Sequence, residues 1–301
     1  MNKRKTAAVL AIAALVALAF AACPSPTGGR GPNNNNGPSI PSNPAEAKAM
    51  VQIPGGTFMM GSPESEPERY SDETQHSVSV SSFWMGKYEV TQGQYESVMG
   101  SNPSYFKTAD GDDPTKRPVE CVSWYDAIVF CNKLSMMEGL TPAYSISGST
   151  DPAAWGSVPT WSSGNRAAWD AVQVVPNSTG YRLPTEAQWE YACRGNYTNK
   201  ATETATKPFG VGDGTRITGA MANFDGEYAY KLPGGEYEDP SGAYLDRTAV
   251  VGSYAANNYG LYDMHGNVWE WCWDWYSSSY YTSAGASGPD PAGPVSGSNR
   301  V

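Results

Sequence analysis

The run Asn258-Tyr259-Gly260-Leu261-Tyr262-Asp263-Met264-His265-Gly266-Asn267-Val268-Trp269-Glu270-Trp271 fits neither a helix nor an alternating strand. Its fourteen positions hold four aromatic residues, two carboxylates and two glycines. This mixture predicts a tight, ordered loop that sends its rings into a core and turns carbonyls and acids the other way. A hard cation such as Ca²⁺ is held like this, by oxygen ligands at short spacing with glycine permitting the turn.

Three short helices precede the run, each marked by a hydroxyl residue followed three positions later by a side chain that can reach back to it. Thr91 with Gln94 opens the first, which carries Tyr95, Val98 and Met99 on one face and stops at Gly100. Ser123 with Asp126 opens the second, where Trp124, Ala127, Ile128, Cys131 and Leu134 form a stripe at helical spacing. Thr185 with Gln188 opens the third, with Trp189, Ala192 and Cys193 inward and Gly195 as the stop. These stripes read as core. Strand-like runs are short: Val51 to Ile53, His76 to Val80, Phe83 to Tyr88 and Val172 to Val175. Turn chemistry such as Asp151-Pro152 and Gly234-Gly235 fills the rest. The glycine-containing acidic segments Lys107 to Asp113 and Gly234 to Asp239 lack the alternating spacing of a self-contained calcium loop and read as solvated surface.

At the start of the chain, Lys3, Arg4 and Lys5 precede an uncharged stretch from Thr6 to Ala22. A basic start, a short apolar region and small residues make a secretory signal, too short for a typical membrane span. Phe20-Ala21-Ala22-Cys23 resembles a relaxed bacterial lipobox, so residues 1–22 are expected to be a lipoprotein signal peptide with Cys23 as the lipidated residue. Two acyl chains suffice for stable anchoring. Residues 23–48 are rich in Pro, Gly, Ser and Asn and contain no aromatic residue, which predicts a disordered tether. Residues 49–301 are left for one globular domain, rich in loops and packed by aromatics, with 19 Tyr and 10 Trp in the whole chain. The net charge is −10, and loss of Lys3, Arg4 and Lys5 with the leader removes three positive charges more. A phosphate backbone is repelled by such a chain, which argues against nucleic acid as a partner, while divalent cations are attracted.

The 258–271 run also resembles the signature of the sulfatase-modifying-factor family, whose best-known members are formylglycine-generating enzymes. Four further blocks match in the same order: Ile53 to Ser62, Glu89 to Gln92, Arg117 to Ala127 and Tyr181 to Ala192. The resemblance implies an α+β fold related to C-type lectins, with a small twisted sheet, a few helices and much ordered loop. It implies a Ca²⁺ site with side-chain oxygens from Asp263 and Glu270 and backbone carbonyls from Gly266 and Val268. Asn223 matches a ligand of a second site, whose acidic partner is expected between Tyr237 and Asp246. The family's last block does not appear before Val301, so the domain is expected to be incomplete, with strand edges left unpaired and apolar surface exposed.

Two histidines, His76 and His265, are too few for a three-histidine metal site, and His265 is expected at the surface. No Gly-x-Ser-x-Gly elbow, phosphate loop or Cys-x-x-Cys is present, so hydrolase, kinase and structural-zinc chemistry find no support. With Cys23 assigned to the anchor, Cys121, Cys131, Cys193 and Cys272 remain. The family's oxidases hold copper with two closely spaced cysteines in the block absent here, and thiolates suit Cu(I) because both are soft. The resemblance also places the disulfide partner of Cys193 in that block. Copper is therefore not expected in this chain. The favoured function is a lipoprotein of the bacterial cell envelope, on its periplasmic or outer face, that binds or displays an unidentified protein or glycan ligand without catalysis. Similar lipoproteins are targets of diversity-generating retroelements. The alternative is a formylglycine-generating oxidase that matures sulfatases, should a cysteine pair follow Val301.

Overall fold

Alternation builds the central strand: His76, Val78 and Val80 point inward while Ser77 is exposed and Ser79 half-buried. A computed structural model describes residues 16–17, 21–22, 50–67, 69–160, 166–195, 207–225 and 245–301. The short elements are β1 (Val16–Ala17) and β2 (Ala21–Ala22), followed by β3 (Met50–Ile53) and β4 (Gly56–Met60). Strands β5 (His76–Val80) and β6 (Phe83–Gly86) come next, then β7 (Tyr144–Ser145), β8 (Gln173–Val174), β9 (Trp269–Glu270) and β10 (Gly288–Pro289). The helices are α1 (Gln92–Met99), α2 (Trp124–Met137), α3 (Arg166–Asp170) and α4 (Glu186–Arg194). The result is the expected loop-rich α+β domain.

Strand β5 lies between β4 and β10, antiparallel to β4 from Gly56 opposite Val80 to Met60 opposite His76 and parallel to β10. Strand β6 lies between β2 and β3, antiparallel to both. Strand β1 pairs with β9. These last two pairings bring residues 16–17 and 21–22 alongside β9 and β6. At Val301 the amide donates to the Asp274 carbonyl (3.0 Å), and the Val301 carbonyl accepts from Cys272 (2.8 Å).

All three capping boxes form, at Thr91 with Gln94, Ser123 with Asp126 and Thr185 with Gln188. Each satisfies two amides that a helix start otherwise leaves open. Two cores result. Helix α2 buries its predicted stripe with Tyr144, Trp169, Tyr181 and Leu183, and Val98 and Met99 of α1 only flank this cluster. The inward residues of β3 to β6 pack on Ala187, Tyr191 and Ala192 of α4 and on Leu261 and Met264.

Irregular backbone must find hydrogen-bond partners away from helices and sheets. Asn132, fully buried on α2, donates to the carbonyls of Tyr144 (2.7 Å) and Thr150 (2.8 Å) and accepts from the Tyr144 amide. The segment Lys107 to Asp113 is exposed as expected, apart from the half-buried Asp112. Asp112 pairs with the buried Arg117 and, at 2.8 Å, with Arg247, and these contacts hold its carboxyl below the usual range. Cys23, the tether, and the segment Gly234 to Asp239 lie outside the described residues. Among the described residues no helix is long and apolar enough to cross a membrane.

Candidate functional site

The 258–271 run is anchored just before it begins. Asn257 is buried, its Oδ1 accepts from the amides of Tyr259 and Leu261, and its Nδ2 donates to the Ala192 carbonyl at the end of α4 (2.8 Å). Asp263, Gly266 and Asn267 all take positive φ, at 58°, 78° and 64°, so the backbone reverses tightly. Beyond the turn, the Trp271 indole donates to the Val122 carbonyl, Trp124 donates to the Cys272 carbonyl, and the Trp273 amide donates to the Pro184 carbonyl.

Asn267 is the hub of the turn. Its side chain donates to Glu89 Oε2 (2.7 Å) and accepts from the Ala249 amide (2.8 Å) and from Asn223 Nδ2 (3.2 Å). Its amide donates to the Asn223 carbonyl (2.7 Å). Asn223, expected at a second site, is therefore packed against this turn. The region expected to supply an acid for a second site lies outside the described residues except for Leu245 and Asp246.

Around the turn gather three carboxylates, of which sequence reasoning named only Asp263 and Glu270. The third is Glu89, 2% exposed, at the head of the Glu89-Val90-Thr91-Gln92 block. It lies two residues before Thr91, the N-cap of α1. Asp263 Oδ2 accepts from the Gly252 amide (2.6 Å), and Glu270 Oε2 accepts from the Trp189 indole. Glu89 Oε1 and Asp263 Oδ1 are buried without a partner. Burial pushes the Glu89 carboxyl well above its ordinary range, and the charges of Asp263 and Glu270 add to the rise. Burial lifts Asp263 to about 6 against the Gly252 hydrogen bond. It lifts Glu270 to about 7, with the Trp189 hydrogen bond opposing and Asp263 adding.

Unpartnered buried carboxylate oxygens that repel one another are what a bound cation would relieve. Such oxygens are present here on Glu89 and Asp263. Among the described residues no three His, Cys, Asp or Glu side chains converge closely enough to hold a metal alone. Carbonyl oxygens, as expected of Gly266 and Val268, would have to complete the shell.

His265 is corrected from a surface residue. It is half-buried, Nε2 accepts from the Gly210 amide (2.9 Å), and Phe209 packs edge-on to its ring. Desolvation and then Arg194 push its pKa down to about 4, so the ring is neutral. Cys193, its neighbour, donates to the Met264 carbonyl (3.2 Å). Cys131, Cys193 and Cys272 are buried free thiols whose pKa burial raises, and Cys121, exposed, is pushed up to about 11 by partial desolvation and Glu120.

A cleft of about 830 Å³ opens beside the turn, with Trp189, Trp269, Trp271, Glu186 and Glu270 among its lining residues. Trp269 is 80% exposed.

Residues 37–301 match the model of the sulfatase-modifying factor enzyme 1-like domain. The chain is 38% identical over 238 residues to chaperone protein LppX of Paenibacillus barcinonensis, covering 76% of this chain and 72% of that one. It is 30% identical over 272 residues to a formylglycine-generating enzyme of Thermomonospora curvata, covering 85% and 81%. Among solved structures, the Treponema denticola variable protein 1 superposes with a TM-score of 0.60 at 35% identity, covering 84% and 81%.

Proposed function

The chain belongs to the sulfatase-modifying-factor family, and from that premise we propose that it is an exported, lipid-anchored protein of the bacterial cell envelope that binds a ligand without catalysis. The observation that carries this is the open tryptophan-walled cleft with Trp269 projecting from it. Its volume lies within the range of small-ligand sites, and exposed Trp and Tyr supply large contact area at low entropic cost. The ligand is a protein or a glycan. The similarity to a protein titled a variable protein agrees with a surface diversified for binding, as a retroelement target would have.

Ca²⁺ would be held by the side chains of Asp263 and Glu270 and the carbonyls of Gly266 and Val268. Asn223 would brace the turn from outside. The ion would be structural, letting the turn hold its acids ionised.

The thiols argue against copper oxidation as the role of these residues. Thiolate is the form that binds Cu(I), and burial disfavours it at Cys131, Cys193 and Cys272. Incubated with copper, reductant and a Cys-x-Pro-x-Arg peptide, the protein is expected to form no aldehyde above the protein-free control. Aldehyde above that control would replace the binding function with a formylglycine-generating oxidase. The anchor has its own test. In a detergent phase separation wild type is expected in the detergent phase and Cys23→Ser in water. Wild type in the aqueous phase would remove the anchor.

A further inference from the structure

We propose that a second cleft, walled by Tyr70, Trp275, Tyr276, Tyr280 and Tyr281, binds a small organic cation of the quaternary ammonium class. It shares Glu186 and Tyr276 with the first cleft but none of the residues of the metal turn, and it does not rest on the display function above. The cleft encloses about 350 Å³, enough for a small ligand. Five of its nine lining residues are aromatic, and three of the others, Asp72, Glu73 and Glu186, are acids.

Aromatic faces attract a cation through their quadrupole, most strongly where water is excluded. Three of the four tyrosine hydroxyls are engaged by the protein. Tyr276 donates to Asp72 Oδ2 (2.6 Å), Tyr281 to Glu186 Oε1 (2.8 Å), and Tyr280 to the Gly285 carbonyl (2.9 Å). One oxygen of Glu73 is also engaged, by the Ser62 hydroxyl (2.7 Å). Rings, with a diffuse negative field behind them, are therefore what remains to meet a ligand. Among the described residues, no Lys or Arg forms an ion pair with Asp72, Glu73 or Glu186. Arg300, behind Trp275, is sandwiched between Trp124 and Trp275, 3.8 and 3.5 Å from their ring centres. Asp274, whose Oδ2 accepts from the Glu186 amide, adds a further buried acid. Burial and Asp274 raise Glu186 to about 8, so in the empty cleft it is largely uncharged at neutral pH, and the field rests on Asp72 and Glu73 until a cation draws Glu186 into its ionised form.

A methylated ammonium suits this arrangement better than a primary one. It needs no directed acceptors, and its methyl groups pack on rings. A neutral or anionic ligand gains nothing from the field.

Titrating the full-length protein with choline tests the assignment, with 3,3-dimethylbutan-1-ol as its uncharged isostere and phosphocholine and phosphatidylcholine vesicles as further arms. Choline is expected to bind at least roughly tenfold tighter than the isostere. Phosphocholine is expected to bind more weakly than choline, because its phosphate meets the acids. Capture of vesicles would identify a lipid headgroup as the source of the cation, and choline binding without capture a free ligand. Tyr70→Ala is expected to weaken choline roughly fivefold or more. This side chain is 75% exposed, so its loss should leave the fold intact. Asp72→Asn keeps an acceptor for Tyr276 and should weaken choline by a similar factor. No saturation up to roughly 10 mM choline by a folded protein, equal affinity for the isostere, or unchanged binding in both variants would overturn the assignment.

Discussion

With calcium at about one hundred times its dissociation constant, the domain is expected to melt about 5–10 °C higher than in EGTA, and Glu270→Gln to lose most of that rise. Binding to the folded state alone at that excess adds about 2.7 kcal/mol, and a domain of this size gains about 2–4 °C per kcal/mol. The ion's work is set by Glu89, Asp263 and Glu270: burial raises the folded pKa of all three, and neighbouring carboxylates add to the rise at Glu89 and Glu270. Their folded pKa values lie above the unfolded ones near 4. Between about pH 4 and about pH 7 the folded state therefore binds more protons than the unfolded state, and stability falls as pH rises through the window. What the protonated acids contribute is fully present below the unfolded values and lost above the folded ones. Calcium binds the ionised forms, so its stabilisation grows across the same window while the midpoint in EGTA falls. An unchanged midpoint in folded wild type would remove the metal. An equal rise in Glu270→Gln would move it, with the surroundings of Asn223 as the next place to look.

Gly266→Ala is expected to cost about 3 kcal/mol or more and to abolish the calcium response. The backbone there has φ 78°, and an added Cβ would stand 2.3 Å from the Asn223 carbonyl oxygen. That oxygen is fixed by the Asn267 amide, so neither side can yield without breaking the hub. Gly260 separates the two causes. Its φ is also positive, at 81°, yet nothing lies within 4 Å of a Cβ added there. Gly260→Ala should cost only about 1 kcal/mol, the price of the left-handed backbone. Equal midpoints for the two variants in thermal melts would show that the close approach to Asn223 contributes nothing.

What could be read from the sequence depended on range. The caps at Thr91, Ser123 and Thr185 were legible because both members of each pair lie within one helical turn. The β5 alternation was legible for the same reason. Strand β4 was missed because Gly56-Thr57-Phe58-Met59-Met60 begins with glycine and ends in two apolar residues, which blurs the period of two. In the site, Asp263 and Glu270 were named because the run itself displays them. Glu89 and Asn267 were missed, since the bond between them joins positions 178 apart and neither has a local cue to its partner. His265 was misplaced at the surface because its cover comes from Phe209 and Gly210, far back in the chain.

That same hub bears on the order in which the molecule can come together. A capped helix needs only a few neighbouring residues and forms early, whereas joining distant positions requires the intervening chain to be ordered first. The turn at Asp263 to Glu270 closes on Glu89, Val122 and Cys193, through Asn267, Trp271 and Met264. These closures span 178, 149 and 71 residues. The turn is therefore among the last parts of the domain to exist as the chain folds and among the first to be lost when any of its distant segments lets go.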